Sequence, residues 1–371
     1  MSGHGPVQHD KRFTDAIENV YIPPNRAAEG MTVAKTAITI KDVAREANVS
    51  VATVSRALNG HDNVAQAVRT RVLEVANRLR YTPHAAARSL SSRSTQTVGV
   101  VLPDLHGEFF SELMRGIDGV ASAHRRHLLV SSYHGDPQQQ RTVLQTMRGR
   151  VDGLLLLSPY AGDAGFLLES LPATIPTVLI NTPLADGQHA VFSIDDHAGA
   201  VAMTEHLLAQ GHRRIAFIGG PAQNHDAQER LRGFRDAMAA QAGGSEAIEL
   251  PGDFDEASGH RAGMALLKRE TLPDAVFAAN DMMALGCLYA FAHAGVHVPG
   301  QVALAGFDDI PLARFVHPSL TTMQVSIAEL GERAMQQLVR QIDDEDASEV
   351  HGITLTPSLV VRDSTAARGP S

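Results

Sequence analysis

The chain has 371 residues, enough for two or three domains, and 44% of them are hydrophobic, which allows sizeable buried cores. A single cysteine excludes a disulfide framework, and the lack of any apolar run of about 18 residues excludes a membrane span. The formal net charge of −9 argues, for the chain as a whole, against nucleic acid as a partner.

The charge is distributed unevenly along the chain. Residues 38–97 contain nine Lys and Arg residues against four acidic residues, a net +5, whereas residues 98–371 carry −14. A compact basic segment joined to an acidic body is typical of a polyanion-binding module attached to a second domain. The polar N-terminus has no apolar core of a signal peptide, so the sequence predicts a cytoplasmic protein.

The first hundred residues predict short helices between polar segments. Residues 1–37 show no sustained periodicity and are predicted to be a disordered tail. Thr39 and Ser50 are suited to cap helices over residues 40–47 and 51–58, and a third helix is predicted over 66–79. These helices belong to a predicted domain at 38–83, followed by a hinge and linker at 84–97.

From residue 98 onward, short β-rich runs alternate with helical stretches. Strands are predicted at residues 98–102, 128–132, 153–157, 177–180, 190–194, 215–219, 275–278, 302–306 and 352–360. Helices are predicted at residues 110–124, 197–210, 227–240, 257–268, 281–294 and 327–343. Alternating βα units build parallel sheets with helices on both faces, and about 270 residues is too long for one such sheet. We therefore expect two Rossmann-like subdomains within residues 98–365, a ligand cleft between them, and a tail at 366–371.

The first two helices and their three-residue turn have the spacing of a helix-turn-helix. In this motif the second helix presents its N-terminal residues to the major groove of DNA. The side chains predicted to face DNA are Val51, Ala52, Ser55, Arg56 and Asn59. Val54 and Leu58 are predicted to face the core, and Arg56 is suited to a bidentate contact with guanine. A three-helix packing module with solvated arginines is the alternative for this segment.

Several long motifs identify a family. TIKDVAREANVSVATVSRALNG at residues 39–60 and YTPHAAARSL at 81–90 resemble the headpiece and hinge of the lactose/galactose repressor (LacI/GalR) family. GHRRIAFIGGP, AQERLRGF, FAANDMMALG and LAGFDDIPLARFVHPSLTTM extend the resemblance through the body. It implies an α/β fold with an N-terminal helix-turn-helix headpiece and a periplasmic-binding-protein-like body of two Rossmann-like subdomains. The implied function is a ligand-responsive regulator, most often a repressor, that binds a pseudo-palindromic DNA operator as a homodimer.

The resemblance assigns DNA contacts in the headpiece and hinge. Val51 and Ala52 match base-reading positions, and Arg56 matches an arginine that reads guanine. The positions that match phosphate contacts are Thr39, Ser50, Thr53 and Ser55, with Asn59 near the helix end. The hinge, from His84 to Leu90, is expected to become helical over bent DNA, where paired Leu90 side chains wedge into the central base step.

The same resemblance implies a small-molecule effector in the cleft. Arg230 matches an arginine that clamps ligand hydroxyls or carboxylates, and Asp308 matches an acid that accepts from sugar hydroxyls. The further candidate effector contacts are Asn181, Asn280, Phe109 and Phe110. Asp281 is predicted only to cap the helix that follows it. A carbohydrate effector is favoured, and a purine or other metabolite acting as a corepressor is the alternative.

Other functional classes fit the sequence less well. A periplasmic sugar receptor would share the body, but it would carry a signal peptide and no headpiece. An enzyme would need a base or nucleophile in the cleft, and Cys287 lies instead in an apolar helix. His124 and His127 lack a third ligand, so neither a metal site nor a cofactor is predicted.

Overall fold

The computed structural model describes residues 38–58, 63–81, 94–160, 162, 164–184, 186–241, 244–343 and 352–365. The chain divides into two compact units, the first ending at His84 and the second beginning at Ala85. The predicted N-terminal tail, Asn59, the hinge with His84 and Leu90, and the C-terminal tail lie outside the described residues. No helix in the described part of the chain is long and apolar enough to cross a membrane.

The first unit contains the three predicted helices. They are α1 (Ile40–Glu46), α2 (Val51–Leu58) and α3 (Gln66–Arg78). Val43, Val54 and Val72, one from each helix, are completely buried in a common core. This core fixes α2 against α1 and α3, so the remaining face of α2 is left open to solvent.

The second unit begins with a subdomain of βα units. Its elements are β1 (Thr97–Leu102), α4 (Glu108–Ala123), β2 (His127–Ser132), α5 (Pro137–Met147), β3 (Gly153–Leu157), α6 (Ala164–Ser170), β4 (Thr177–Ile180) and β5 (Ala190–Ile194). A later strand, β11 (Ile353–Leu355), completes a parallel sheet in the order β11-β5-β4-β3-β1-β2. Every residue of β3 and β4 is buried, as expected for strands covered by helices on both faces.

A second subdomain follows with the same construction. Its elements are α7 (Asp196–Ala209), β6 (Arg214–Ile218), α8 (His225–Ala240), β7 (Glu246–Leu250), α9 (Glu256–Leu266), β8 (Ala275–Ala278), α10 (Asp281–His293) and β9 (Ala303–Ala305). The strands form a parallel sheet in the order β7-β6-β8-β9. The body therefore has the two predicted Rossmann-like subdomains.

The chain passes between the subdomains more than once. β10 (Thr322–Gln324) and β12 (Ser358–Val360) form an antiparallel ribbon that packs on α7, whereas α11 (Ile327–Asp343) packs on α4 of the first subdomain. The prediction of a single strand over 352–360 is thus wrong. Its two halves, β11 and β12, belong to different sheets and are separated by Pro357, which has no N–H to donate to a ladder.

Four elements were not predicted, and each lacks the expected pattern. α5 has glutamines at its start and buries the polar Gln140, so its apolar periodicity is weak. β7 is an edge strand with exposed glutamates, and β10 has only three residues. α6 has only seven residues, too few for a helical repeat to be recognised.

Candidate functional site

The open face of α2 carries the residues predicted to face DNA. Val51, Ala52 and Arg56 are exposed, while Thr53 and Ser55 are half-buried. Val54 is completely buried and Leu58 packs half-buried against the same core, as predicted. The arrangement leaves one guanidinium and two small apolar side chains together on a single accessible helix face.

Local hydrogen bonds set where these helices begin. The Ser50 hydroxyl accepts the backbone N–H of Thr53 at 3.1 Å, which caps α2. At the start of α1 the Asp42 carboxylate accepts the backbone N–H of Thr39 at 2.9 Å and its hydroxyl at 2.7 Å. The backbone hydrogen bond from Thr39 is the main cause that lowers the pKa of Asp42. Thr39 and Ser50 nevertheless remain exposed, so a phosphate can reach both.

In the second unit, a cavity of about 340 Å³ opens between the two subdomains. Loops after β1, β2 and β3 form one wall, and the segments around α8, α9 and α10 form the other. Five of the six predicted effector residues line it, namely Phe109, Phe110, Arg230, Asn280 and Asp308. Carboxyl ends of parallel strands meet in this cleft, which is the usual ligand position in open α/β folds.

Asn181 lies apart from this group. It is buried beside a neighbouring cavity, and its amide donates to Oδ2 of Asp226 at 3.0 Å. Asp226 itself lines the cleft. Asn181 therefore contacts the cleft through Asp226, across the two subdomains.

Arg230 is held at the floor of the cleft by its own subdomain. Its Nε donates to Oδ1 of Asp196 at 2.7 Å and its Nη1 donates to the carbonyl oxygen of Ala279 at 2.5 Å. The guanidinium lies over the ring of Phe307, with the central carbon 3.9 Å from the ring centroid. The arginine is 4% exposed, and these contacts hold its guanidinium in one position at the floor of the cleft.

Three buried carboxylates surround this one cation. Asp308 Oδ1 lies 3.2 Å from Nη1 of Arg230, and Asp196 and Asp226 complete the cluster. Burial raises the pKa of each of the three acids, and for Asp308 it raises the pKa to about 7 despite the opposing attraction of Arg230. The cluster thus places three carboxyl groups around one guanidinium where water scarcely reaches, and the raised pKa values favour the neutral form of each acid.

The loop that carries Asp308 has an unusual backbone. Asp308 and Asp309 have φ values of 111° and 53°, in a region that side chains other than glycine rarely adopt. Asp281 holds this loop, because its carboxylate accepts the N–H of Ile310 at 3.0 Å and the hydroxyl of Thr322 at 2.6 Å. Strained residues of this kind concentrate at ligand sites.

The prediction that Asp281 caps the following helix is wrong. Asn280 is the cap, since its side-chain oxygen accepts the N–H of Met283 at 2.9 Å. Its amide nitrogen donates to the carbonyl oxygen of Phe254 at 2.9 Å. Asn280 thus orders one aromatic wall of the cleft, while Asp281 orders the Asp308 loop.

Aromatic rings form much of the remaining cleft surface. Phe109 and Phe110 meet edge to face with centroids 5.5 Å apart, and Phe254 and Tyr160 also line the cavity. Phe254 lies over Gly220, where a Cβ would come within 2.5 Å of the ring. A flat, partly apolar ligand such as a sugar ring can pack on these faces.

The structure adds three cleft-lining residues that the sequence did not indicate, Asp226, Tyr160 and Phe254, and also Asp196, which does not line the cleft but accepts a hydrogen bond from Arg230. Asp226 lies one helical turn before Arg230 on α8, and this spacing was a usable signal. Nothing local to Asp196, Tyr160 or Phe254 connects them with Arg230.

We expect the substitution Asp308→Asn to raise the free energy of unfolding above that of the wild type, by an amount that grows as pH rises. The pKa of Asp308 is about 7 in the folded chain and about 4 when unfolded, so the folded state binds an extra proton between these values. The Asp308 contribution to the free energy of unfolding therefore falls as pH rises from about 4 to about 7. Arg230, Asp196, Asp226 and Asp281 face the same group and are present in both proteins.

Thermal unfolding at pH 5 and pH 8 tests this expectation. The advantage of the variant should be smaller at pH 5 than at pH 8, because at pH 5 the folded carboxyl is still neutral and only part of the linkage free energy between pH 4 and pH 7 has been lost. At pH 8 the variant should be more stable by about 1–3 kcal/mol. A variant that is less stable than the wild type at pH 8 would contradict the assigned direction.

Comparison with known proteins agrees with these features. The model of "Bacterial regulatory proteins, lacI family" matches residues 39–84, and that of a "Periplasmic binding protein-like domain" matches residues 204–365. The chain is 35% identical over 331 residues to the HTH-type transcriptional regulator GalR of Escherichia coli (strain K12), covering 88% of this chain and 96% of that protein. The ribose operon repressor of the same strain is 36% identical over 328 residues, covering 88% and 99%.

Solved structures give the same result. The crystal structure of the lac repressor dimer bound to operator and the anti-inducer ONPF matches with a TM-score of 0.78 at 26% identity, covering 88% of this chain and 99% of that one. The complex of the transcriptional regulator CelR with cellobiose matches with a TM-score of 0.65 at 31% identity, with the same coverage. These similarities extend over nearly the full length of each relative, and the chain therefore belongs to the lacI family of bacterial regulatory proteins.

Proposed function

We propose that this chain is a ligand-responsive transcription regulator, a repressor that binds a pseudo-palindromic operator as a homodimer under the control of a small carbohydrate. GalR and the ribose operon repressor are regulators by name, and the lac repressor relative is a dimer on operator DNA. The CelR relative holds cellobiose. This role is regulatory rather than enzymatic. A protein with this role acts on the nucleoid in the cytoplasm, where operators are found.

The DNA-binding part of the proposal is supported by the surface of α2. Arg56 is exposed beside Val51 and Ala52, and a guanidinium can make a bidentate contact to guanine while small apolar side chains contact thymine methyl groups. A two-fold symmetric operator is matched by a two-fold symmetric protein, which is why we propose a dimer.

The observation that carries the effector part is the Arg230–Asp308 pair at the floor of an aromatic-walled cleft. A hydroxyl both donates and accepts, so it can bond to a carboxylate and a guanidinium at once. Phe109, Phe110, Tyr160 and Phe254 offer the apolar faces of a sugar a surface on which to pack. Ligand and operator affinities should be coupled by roughly 1–3 kcal/mol, and the coupling must be reciprocal.

Arg56→Ala tests the DNA-binding part. An operator is first selected from a random duplex pool with the full-length chain, and binding is then followed by fluorescence anisotropy. We expect the variant to lose about 1–3 kcal/mol of binding free energy and to relax specificity at one base pair. Sedimentation of the wild-type complex should give two chains per duplex, and its affinity should fall steeply as salt rises.

Arg45→Ala is the matched control, since Arg45 is an exposed arginine of α1 that pairs with Asp42. It removes the same charge from the same unit, so it should weaken binding evenly on all sequences. If Arg56→Ala also weakens binding evenly, Arg56 is a phosphate contact. One chain per duplex would refute the proposed dimer.

A further inference from the structure

Residues 94–96, at the end of the predicted linker, are held on the first subdomain by the carboxylate of Asp152. Its Oδ1 accepts the N–H of Thr95 at 2.6 Å and the hydroxyl of the same residue at 2.8 Å. Its Oδ2 accepts the hydroxyl of Ser94 at 2.6 Å and the N–H of Gln96 at 2.8 Å. These hydrogen bonds, which we call the linker clamp, fix the chain immediately before it enters β1.

Burial and charge make the linker clamp strong. The side chain of Asp152 is 10% exposed. Burial acts to raise the pKa of this carboxyl, but the hydrogen bonds from Ser94, Thr95 and Gln96 lower it below its ordinary value, so the acid is charged at neutral pH. Hydrogen bonds to a charged acceptor are about twice as strong as those between neutral groups.

A second set of contacts joins the linker clamp to the end of α11. Arg126 donates from Nη1 to Oδ2 of Asp152 at 3.4 Å, and its Nη2 donates to the carboxylate of Asp343, the last residue of α11. The side chain of Ile342 lies on Gly153, where a Cβ would come within 2.6 Å of it. The last turn of α11 therefore packs on the residue next to Asp152 and is hydrogen-bonded to the clamp through Arg126.

The other end of α11 begins beside the loop that carries Asp308. The carbonyl oxygen of Met323 in β10 accepts the N–H of Asp308 at 2.8 Å, and the amide of Gln324 donates to Asp309 at 3.0 Å. Only residues 325 and 326 separate β10 from α11. With 17 residues, α11 spans about 25 Å. A rigid helix with hydrogen bonds at both ends is the kind of element that can carry coupling between distant sites.

We propose that Asp152 is a positioning residue for operator binding, which fixes the point at which the linker leaves the second unit, and that α11 connects this point to the cleft through Arg126. This inference rests on the proposed function, because it assumes that the chain binds an operator. Without the linker clamp, residues 94–96 would gain conformational freedom in the free protein. They would lose this freedom again when two chains bind one operator, so operator affinity would fall.

The first test compares affinity for operator and for non-specific DNA. Asp152→Asn keeps the shape of the side chain but removes its charge and one acceptor oxygen. Its affinity for the operator selected with the full-length wild-type chain should fall about tenfold or more, as measured by fluorescence anisotropy. Its affinity for a duplex of scrambled sequence should stay within about twofold of the wild type, because phosphate contacts of the first unit do not depend on the clamp.

Asp136→Asn is the matched control. Asp136 belongs to the same subdomain, but its carboxylate accepts the N–H of Gln138 at 2.8 Å and caps α5 instead of holding the linker. The control removes the same charge and should leave operator affinity unchanged. Thr95→Val is a milder second variant, which removes only the hydroxyl from the clamp and should lower operator affinity about threefold. Thermal unfolding confirms that each variant is folded at the assay temperature.

Hydrogen–deuterium exchange of the full-length chain tests the connection to α11. Operator binding should slow amide exchange in the last turn of α11 in the wild type, because coupling between two sites acts in both directions. Arg126→Gln, which removes the charged contact with Asp343, should abolish this response. Residues 95 and 96 should stay protected in this variant, since their N–H groups still donate to Asp152.

The inference is overturned if Asp152→Asn binds the operator as tightly as the wild type, or if it loses affinity equally for operator and scrambled duplex. It is also overturned if the last turn of α11 does not respond to operator in the wild type, or responds equally in Arg126→Gln. Failure of the proposed function would appear differently, because the wild-type chain would then select no specific operator, and the inference would fall with it.

Discussion

Replacing Arg230 with alanine will destabilise the second unit by about 3–5 kcal/mol, because it leaves buried carboxylates without their cation. Asp196 loses its 2.7 Å hydrogen bond from Nε, and the carbonyl oxygen of Ala279 loses its donor. The ring of Phe307 loses the guanidinium that lies against it. Urea unfolding followed by circular dichroism measures the effect, and the response to the cleft ligand should also be lost.

Arg232→Ala is the matched control for this experiment. Arg232 lies on the same helix, but its side chain is 54% exposed and pairs with Glu229 at the surface. Exposed pairs of this kind contribute at most about 1 kcal/mol. Equal stability of the two variants would show that the buried cluster does not depend on Arg230.

Arg230→Lys separates charge from shape. Lysine keeps the positive charge but lacks the planar fork that bonds to Asp196 and Ala279 at once. We expect it to recover part of the stability and little of the ligand response. Operator binding should persist in all three variants at temperatures where they remain folded, since the first unit has its own core. A normal ligand response in Arg230→Ala would refute the assignment of the cleft.

Gly116→Ala is expected to have the second large effect, because α4 and α11 are in close contact at this position. A Cβ on Gly116 would lie 2.0 Å from the carbonyl oxygen of Ala328 in α11, so the two helices must separate. Overpacking of this kind typically costs about 1–3 kcal/mol. The first turn of α4 carries Phe109 and Phe110, and a displaced helix would move this wall of the cleft.

Gly119→Ala in the same helix is the matched control. A Cβ on Gly119 meets nothing within 4 Å, and alanine is the better helix former by about 0.5–1 kcal/mol. The control should therefore be as stable as the wild type or more so, with unchanged ligand binding. Thermal unfolding and ligand titration compare Gly116→Ala with Gly119→Ala. Equal stability and equal ligand affinity of the two variants would show that the contact between α4 and α11 tolerates a methyl group.

The sequence alone determined the features that depend on interactions between residues close together in the chain. α1 and α2 begin at caps whose hydrogen bonds span three residues, between Thr39 and Asp42 and between Ser50 and Thr53, and these residue pairs are visible in the chain itself. Buried parallel strands such as β3 and β4 are continuous apolar runs, so their limits were predicted correctly. The α/β order and the two subdomains follow from the alternation of these runs with helical periodicity.

Arg230 and Asp308 were predicted through motifs, and Phe109 and Phe110 through their position in the loop after the first predicted strand. The tertiary structure confirms that they share one cavity, and it places Asn181 behind Asp226 instead. Asp281 was predicted to cap α10, whereas Asn280 takes that position in the structure. Only the position of Thr322 and Ile310 decided that Asp281 holds the Asp308 loop.

The charge balance of the cleft was decided by tertiary structure alone. Asp196 follows β5, Asp226 and Arg230 lie on α8, and Asp308 follows β9, so no local pattern connects them. Coulomb energy depends on distance and on burial, and both are set by how the two sheets and their helices pack. A sequence shows which residues can carry charge, whereas the fold decides which charges share a dry cavity and whether they are balanced.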